Sequence, residues 1–371
     1  MSSERLYYDD AYTARFTARV AALGELRGRP AVELERTYFY PESGGQEADR
    51  GTVAGTPVTD VQADAEERVW HALDPVGAAP DPGSEVACEV DWARRFDHMQ
   101  QHTGQHVLSA ALERVLSAPT ISSHLGVERS TIEVALPGTD WRAIERVEDA
   151  ANRVVWEDRP VERHWTDASG LARFKLRKPP QVAGRIRIVE IPEWDVSACG
   201  GTHTRRTGEV GVIKIVGWEK LRGNLRLEFL CGGRALRDHA WRTEALVDGA
   251  RRRTLKDRDL IAHLERAVDE RNELRKRLDA LSEQVLTEDA RRRVGDPPRG
   301  VADFSASRPR DEVRRFALKC LEAGAPWVVA GAASPDPVVV IGRTKALAAD
   351  LRALLPALLE RARGRGGGSP D

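Results

Sequence analysis

"RRFDHMQQHTGQHVLSAALERVL" (residues 94–116) holds three histidines, His98, His102 and His106, each four positions from the next. Phe96, Met99, His102 and Thr103, His106, Leu108 and Leu112 recur near helical spacing. The segment "SAALERVL" is strongly helix-forming, so the stretch predicts a helix. Side chains four apart on a helix lie on one face, one turn apart, and two imidazoles so placed can reach one metal ion. Taken alone, such a pair is more often one packed and one solvated histidine.

The chain reads differently on the two sides of this helix. Before it, "RFTARV" (15–20), "RPAVELERTYFY" (29–40) and "RGTVAGTPVTDVQA" (50–63) alternate or carry β-branched and aromatic residues between turns. Their spacing predicts a small β-barrel or strongly bent sheet. "DPVGAAPDPGSE" (74–85) is a loop by its Pro and Gly content. After the helix come a strand at 130–136, a helix at 141–159 and a strand at 184–191. "GVIKIVGWEKLRGNLRLEFLCG" (211–232) reads as a hairpin turning at "KLRGN". This mixture predicts an α+β domain. From Arg234 to about Asp289 the chain reads as continuously helical. Leu260, Leu264, Ala267, Arg271, Leu274, Leu278, Leu281 and Val285 form a heptad seam with one charged interruption. "GDPPRG" (295–300) stops that helix. The tail reads as a small α/β unit: helix 311–324, strands 326–332 and 337–342, and a helix at 345–362. The expected divisions are 1–92, 93–233, 234–296 and 297–371.

The two histidines of the helix have a complement in "VSACGGTHTRRTGEVG" (196–211), where Cys199 and His203 flank a glycine-rich turn. Zinc accepts imidazole nitrogen and thiolate sulfur in tetrahedral geometry, and His102, His106, Cys199 and His203 would supply four ligands. His98 competes for a ligand place, or caps the helix start. A buried Cys is otherwise often a small hydrophobe. A third feature, Gly44-Gly45-Gln46 after the strand ending at Pro41, permits positive φ and close backbone approach to a ligand, though an ordinary hairpin turn reads the same way. No Gly-Lys-Ser/Thr follows, so it is not a phosphate-binding P-loop.

Composition narrows the classes. The 371 residues are 41% hydrophobic and 31% charged, enough for two or three packed domains. The net charge of -1 excludes a globally basic nucleic-acid binder but permits local RNA contacts. Four scattered cysteines make no disulfide framework and fit a reducing cytoplasm. The charged start "MSSERLYYDD" lacks a signal-peptide core, and no apolar run reaches membrane-spanning length.

Three motifs, "TYFYPESGGQEADRG" (37–51), "HMQQHTGQHVLSAAL" (98–112) and "CGGTHTRRTGEVGVIKI" (199–215), together resemble the editing domain of alanyl-tRNA synthetase and its freestanding AlaX-type relatives. The domain is also similar to the editing domain of threonyl-tRNA synthetase. The resemblance covers about residues 5–235. It continues more weakly through the heptad helix and the final "GRGGGSPD", which look like the helical linker and DHHA1-type domain of that synthetase. In that family the glycine-rich run is usually followed by more residues. The resemblance implies zinc as cofactor on His102, His106, Cys199 and His203. It implies hydrolysis of the ester joining serine or glycine to tRNA(Ala). Thr37 matches a threonine that recognises the seryl hydroxyl, and Gly44, Gly45 and Gln46 match the loop near the aminoacyl-adenosine. With no synthetase catalytic domain ahead of these motifs, the expectation is editing in trans.

Four protein ligands fill a tetrahedral zinc, so zinc is expected to position the aminoacyl group or order the site at least as much as to make hydroxide. Thr37 and Gln46 are the expected contacts to the seryl hydroxyl, because a site that hydrogen-bonds a hydroxyl rejects the analogue lacking it. Arg205, in "RRTGE" (205–209), and Arg222, in "EKLRGN" (219–224), are expected to bind substrate. "ARFKLRKPPQ" (172–181) and "ARRRTLKDR" (250–258) are further basic runs; a solvated surface reads the same way. Two other readings stand beside the editing hydrolase. One is a non-catalytic, zinc-stabilised tRNA-binding or dimerisation module, with a homodimer through the heptad helix. The other is a metal hydrolase for a small ester or amide, which lacks the HExxH of metalloproteases.

Overall fold

The computed structural model describes residues 3–77, 79–179, 184–306, 308–334, 337–362 and 365–367. The end of the basic run at 180–181, Ala78 of the 74–85 loop, and most of the final glycine-rich run lie outside them. The chain divides into two compact units, Met1–Ala245 and Leu246–Asp371.

The first unit opens with six strands that pair in a ring. Arg15–Leu26 pairs with Arg29–Leu34, then come Val69–Leu73, Thr56–Ala63, Gly51–Val53 and Glu85–Val90, which pairs back onto the first. Arg27-Gly28 and Ala54-Gly55 turn two of its hairpins with positive φ at both residues. Such turns match the right-handed strand twist, and the first carries its strand six residues past the expected end at 20. Val20, Val32, Leu34, Val53, Val61, Val69 and Leu73 fill the interior. Strand Val69–Leu73 has no alternation to reveal it, because four of its five residues are buried.

Helix α1 (Trp92–Leu116) starts at Asp91, whose carboxylate accepts from the Arg94 N–H. Its later turns bury Val107, Leu108, Ala111 and Leu112 against α2 (Trp141–Trp156) and one face of an antiparallel sheet. That sheet runs Ile213–Leu221, Asn224–Cys231, Ser130–Val134, Thr120–Leu125. A buried leucine here contributes about 1.5–3 kcal/mol of apolar transfer, so Leu112→Ala would cost about 2–5 kcal/mol with its cavity. A second sheet, Glu162–Thr166, Ile186–Ile191 and Asp195–Ala198, leads into the Cys199 turn.

The continuous helix expected from 234 to 289 is two helices, α3 (Gly232–Arg251) and α4 (Leu260–Val294). Thr254 takes a left-handed φ of 56° between them. Leu260 then packs over Gly249, a tertiary contact that no local propensity announces. α4 ends at Gly295, φ 72°. Its last turns bury Leu286, Ala290 and Val294 in the core of the second unit, with α5 (Arg310–Glu322) and a three-stranded sheet. In that sheet Val301–Ser305 runs parallel to Trp327–Ala332, and Val338–Arg343 antiparallel to it. The helix expected at 345–362 is a single 3₁₀ turn, Leu351–Leu354, and α6 (Leu355–Ala362). Pro356 explains the late start: its ring clashes with the carbonyl four residues back and it has no N–H to bond it. Among the described residues no helix is long and apolar enough to cross a membrane.

Candidate metal centre

α1 presents His102 and His106 one turn apart, both buried. The turn after strand Asp195–Ala198 brings Cys199 and His203 against them. One donor atom from each of the four lies within 4.8 Å of the others. Cys199 Sγ is 3.3 Å from His102 Nε2 and 3.2 Å from His203 Nε2. Gly201 makes this approach possible: a Cβ there would lie 2.1 Å from His102 Cε1.

The outer nitrogens are held as well. His102 Nδ1 donates to Gln46 Oε1 (2.8 Å), and His106 Nδ1 donates to Asp195 Oδ2 (2.8 Å). His203 Nδ1 lies 3.3 Å from Thr103 Oγ1. Each Nδ1 is thus engaged away from the cluster, and each Nε2 is left to face it. Histidines that ligate metals are oriented in this way. Asp195 is itself fixed by Arg177 (2.6 Å) and by Ser197 (3.0 Å). Burial opposes the Cys199 thiolate, yet the neighbouring His102 and His203 prevail and hold its pKa well below the thiol range. Burial also lowers His106, but the Asp195 carboxylate and Cys199 outweigh it and raise its pKa to about 9. Burial and the neighbouring His102 push His203 well down. One thiolate and three inward nitrogens are a donor set that suits zinc.

The glycine loop reaches this cluster through a pinned frame. Arg95 pairs with Asp49 in the interior, while Arg94 bonds Glu47 (2.7 Å) and the Ala48 carbonyl (3.0 Å). Ser43 and Gln46 exchange backbone hydrogen bonds across Gly44-Gly45. Gly45, at φ 83°, lies so close to Ser123 that a Cβ would be 3.0 Å from its carbonyl oxygen. Gly44 faces open space.

The other expected site residues are placed as follows. In Gln46, the other expected contact for a seryl hydroxyl, the amide oxygen accepts from His102 and the Thr202 N–H, and the NH₂ donates to Thr202 Oγ1. Thr37 is fully buried, donates to His71 Nε2 (2.9 Å) and accepts from the Phe39 N–H (3.0 Å). Arg205 is exposed, stacks over Tyr12 at 3.9 Å, and pairs weakly with Asp10 at 3.7 Å. Arg222 sits at the tip of the 213–231 hairpin, at φ 50°. The strand back to Cys231, which bonds Gln101 beside His102, is about 23 Å long at ~3.3 Å per residue, so Arg222 is remote from the cluster. His98 is buried but outside the ligand group, and its Nδ1 has no partner among the described residues. Asp195 and Thr103 were not anticipated. The one signal for Asp195 was its period-two spacing to Cys199 along a strand.

Residues 186–228, which include Cys199 and His203, match the family described as the threonyl and alanyl tRNA synthetase second additional domain. The chain is 38% identical over 320 residues to an alanine–tRNA ligase of Methanopyrus kandleri, covering 82% of this chain and 34% of that protein. It is 38% identical over 239 residues to the alanyl-tRNA editing protein AlaX-L of Pyrococcus horikoshii, covering 63% and 59%. It is 37% identical over 210 residues to the alanyl-tRNA editing protein Aarsd1-B of Xenopus laevis, covering 56% and 50%. The chain spans about a third to three-fifths of the length of these relatives. The matched domain lies over the cysteine half of the cluster, and the chain is similar to AlaX-type alanyl-tRNA editing proteins and to the corresponding region of alanine–tRNA ligases.

Proposed function

We propose that the chain is an aminoacyl-tRNA deacylase that hydrolyses the ester joining serine, or glycine, to tRNA(Ala). The observation that carries this reading is the four-residue donor cluster with the glycine loop docked onto it through Gln46 and His102. Zinc bound there would supply a positive charge that orients the aminoacyl group beside the loop. The protein's own residues do the positioning. Gln46, Asp195 and Thr103 fix the three imidazoles, and Gly201 keeps the turn thin enough to reach His102. Gly44 and Gly45 leave the approach to the cluster free of side chains. Thr37 is the proposed contact for the seryl hydroxyl: with its proton on His71 and one lone pair on the Phe39 N–H, it retains a second lone pair.

The related proteins' names support tRNA(Ala) as the partner, and the cytoplasm is the place of action that goes with this reading. The heptad residues Leu264, Leu274, Leu278, Leu281 and Val285 are exposed in the single chain, which supports a homodimer through α4. Light scattering of the chain beside Leu278→Asp tests this, with a twofold mass for the parent and a single mass for the variant.

The deciding experiment is deacylation of Ser-tRNA(Ala), Gly-tRNA(Ala), Ala-tRNA(Ala) and a seryl-tRNA of another identity, with zinc measured on the same sample and on Cys199→Ala. Selective loss of the seryl or glycyl ester on tRNA(Ala), with about one zinc per chain that falls in the variant, is expected. Zinc without hydrolysis of any ester would leave a binding module.

A further inference from the structure

Arg187 lies on strand Ile186–Ile191 and is 4% exposed. Its Nη1 donates to the backbone carbonyls of Cys199 (2.9 Å) and Gly201 (2.8 Å), the turn that carries the metal half-site. Its Nε and Nη2 are buried and have no acceptor among the described residues. Arg163, on the neighbouring strand Glu162–Thr166, is in the same position. Its Nη1 donates to the Asp9 carbonyl (3.2 Å), while Nε and Nη2 have no acceptor among the described residues. The strand register sets Trp165 opposite Arg187 and Arg163 opposite Val189, so Arg163, Trp165 and Arg187 share one face. Arg187 feels the charge of Arg163, and Arg163 that of Arg205. Among the described residues neither forms an ion pair. Buried cations are ordinarily paired, and their N–H groups bonded.

Aromatic rings border the two guanidiniums. Tyr8 lies 5.7 Å from the Arg187 guanidinium carbon and packs edge-on to Trp165 at 5.6 Å. It also flanks the metal turn: a Cβ at Gly200 would be 3.7 Å from its ring. Arg185, exposed, stacks over Trp165 at 4.1 Å. A fork of unused N–H donors matches the oxygens of a phosphate, and aromatic faces beside basic groups take nucleobases.

We infer that Arg187 and Arg163 form a phosphate-binding pocket, edged by Tyr8 and Trp165, that takes a phosphodiester of the substrate RNA's 3′ end. This rests on the deacylase reading for the identity of the RNA, and on the unmet donors for the chemistry. Arg187 joins the two functions, since the hand that faces the phosphate is attached to the hand that holds the Cys199–Gly201 carbonyls.

The test measures binding separately from hydrolysis. The probe is an uncharged RNA oligonucleotide with the tRNA(Ala) 3′ end, titrated onto the zinc-loaded full chain at several salt concentrations. Arg163→Gln, which gives up one backbone contact, is compared with Arg187→Lys, which keeps a charge for the carbonyls. Expected are an affinity about tenfold weaker in each and, for Arg163→Gln, which alone removes a cation, a salt slope shallower by about 0.7, one phosphate contact on a single strand. Zinc content should stay at the parent's value, and KM for Ser-tRNA(Ala) should rise more than kcat falls. Unchanged affinity and salt slope in a zinc-loaded Arg163→Gln would overturn the pocket while leaving the deacylase reading intact. A parent that binds the oligonucleotide, weakens with Arg163→Gln and hydrolyses no ester would remove the deacylase reading and keep the pocket.

Discussion

Two of the places where the first unit buries histidines have opposite outcomes. Inside the strand ring, His71 donates from Nδ1 to the Val32 carbonyl (3.0 Å) and accepts at Nε2 from Thr37. Both nitrogens are satisfied by the protein, and burial lowers its pKa to about 4. Between α1 and the Cys199 turn, the outward nitrogens of His102, His106 and His203 are satisfied by the surrounding protein, and the inward ones meet only the other donors of the cluster. They point with a thiolate at one spot. Burial of a histidine therefore says little about function. What separates a packed histidine from a ligand is where its second nitrogen looks.

The largest expected effect tests the open cluster. Cys199→Ala should lower zinc affinity by well over the ~100-fold that loss of an orienting partner causes, and abolish deacylation. Zinc analysis and a chelator titration check it; a variant that retains full zinc would dismantle the four-ligand site. Next comes the closed pair, through pH. The folded pKa of His71 is depressed from 6.5 to about 4, so the unfolded chain binds the proton more readily between those values. The stability from neutral His71 is present above about pH 6.5 and lost as pH falls through about 4. Between pH 7 and pH 5 this is about 2 kcal/mol. Urea unfolding in the Cys199→Ala background, with and without His71→Gln, isolates it from metal loss. Equal pH slopes in the two would show that His71 is not the group.

Asp195→Asn sharpens the comparison at smaller scale. It should weaken zinc binding about 10- to 100-fold while the fold persists at saturating zinc. A competition titration reads this directly. The smallest effect belongs to Thr37→Val, which leaves His71 Nε2 and the Phe39 N–H without their partner. It should cost about 1–2 kcal/mol of stability and leave zinc content alone. In the proposed reaction it should also reduce the preference for the seryl over the alanyl ester. Loss of zinc in this variant would mean that the two histidine sites are not independent.

What the sequence made legible was local. α1 announced itself through apolar spacing and a helix-forming second half, and the 211–232 hairpin through alternation around Arg222-Gly223. The grouping of His102, His106, Cys199 and His203 was readable because i, i+4 spacing on a helix and a Cys-Gly-Gly-Thr-His turn, weak signals singly, complement each other in donor chemistry. The partners that finish the site were not, because they come from far along the chain. Gln46 meets His102 across 56 positions and Asp195 meets His106 across 89. The break between α3 and α4 has no glycine or proline at Thr254 to mark it. Pro356, by contrast, was in plain view. The apolar run "LLPALLERA" masked its meaning, although a proline inside a long helix should have moved the start.

The clamp on the glycine loop has a consequence for how the molecule tolerates change. Surface loops ordinarily accept extra residues at little thermodynamic cost. The loop from Pro41 to Arg50 is fixed by Arg94 and Arg95 near one end and by the Ser43–Gln46 backbone pair at its tip, and it sets Gln46 against His102. One glycine inserted between Ser43 and Gly44 would slide Gln46 off its ligand and reduce zinc occupancy. The same insertion between Pro82 and Gly83, in the loop that joins two ring strands, would pass unnoticed by the metal. Length, in the first of these loops, is part of the site.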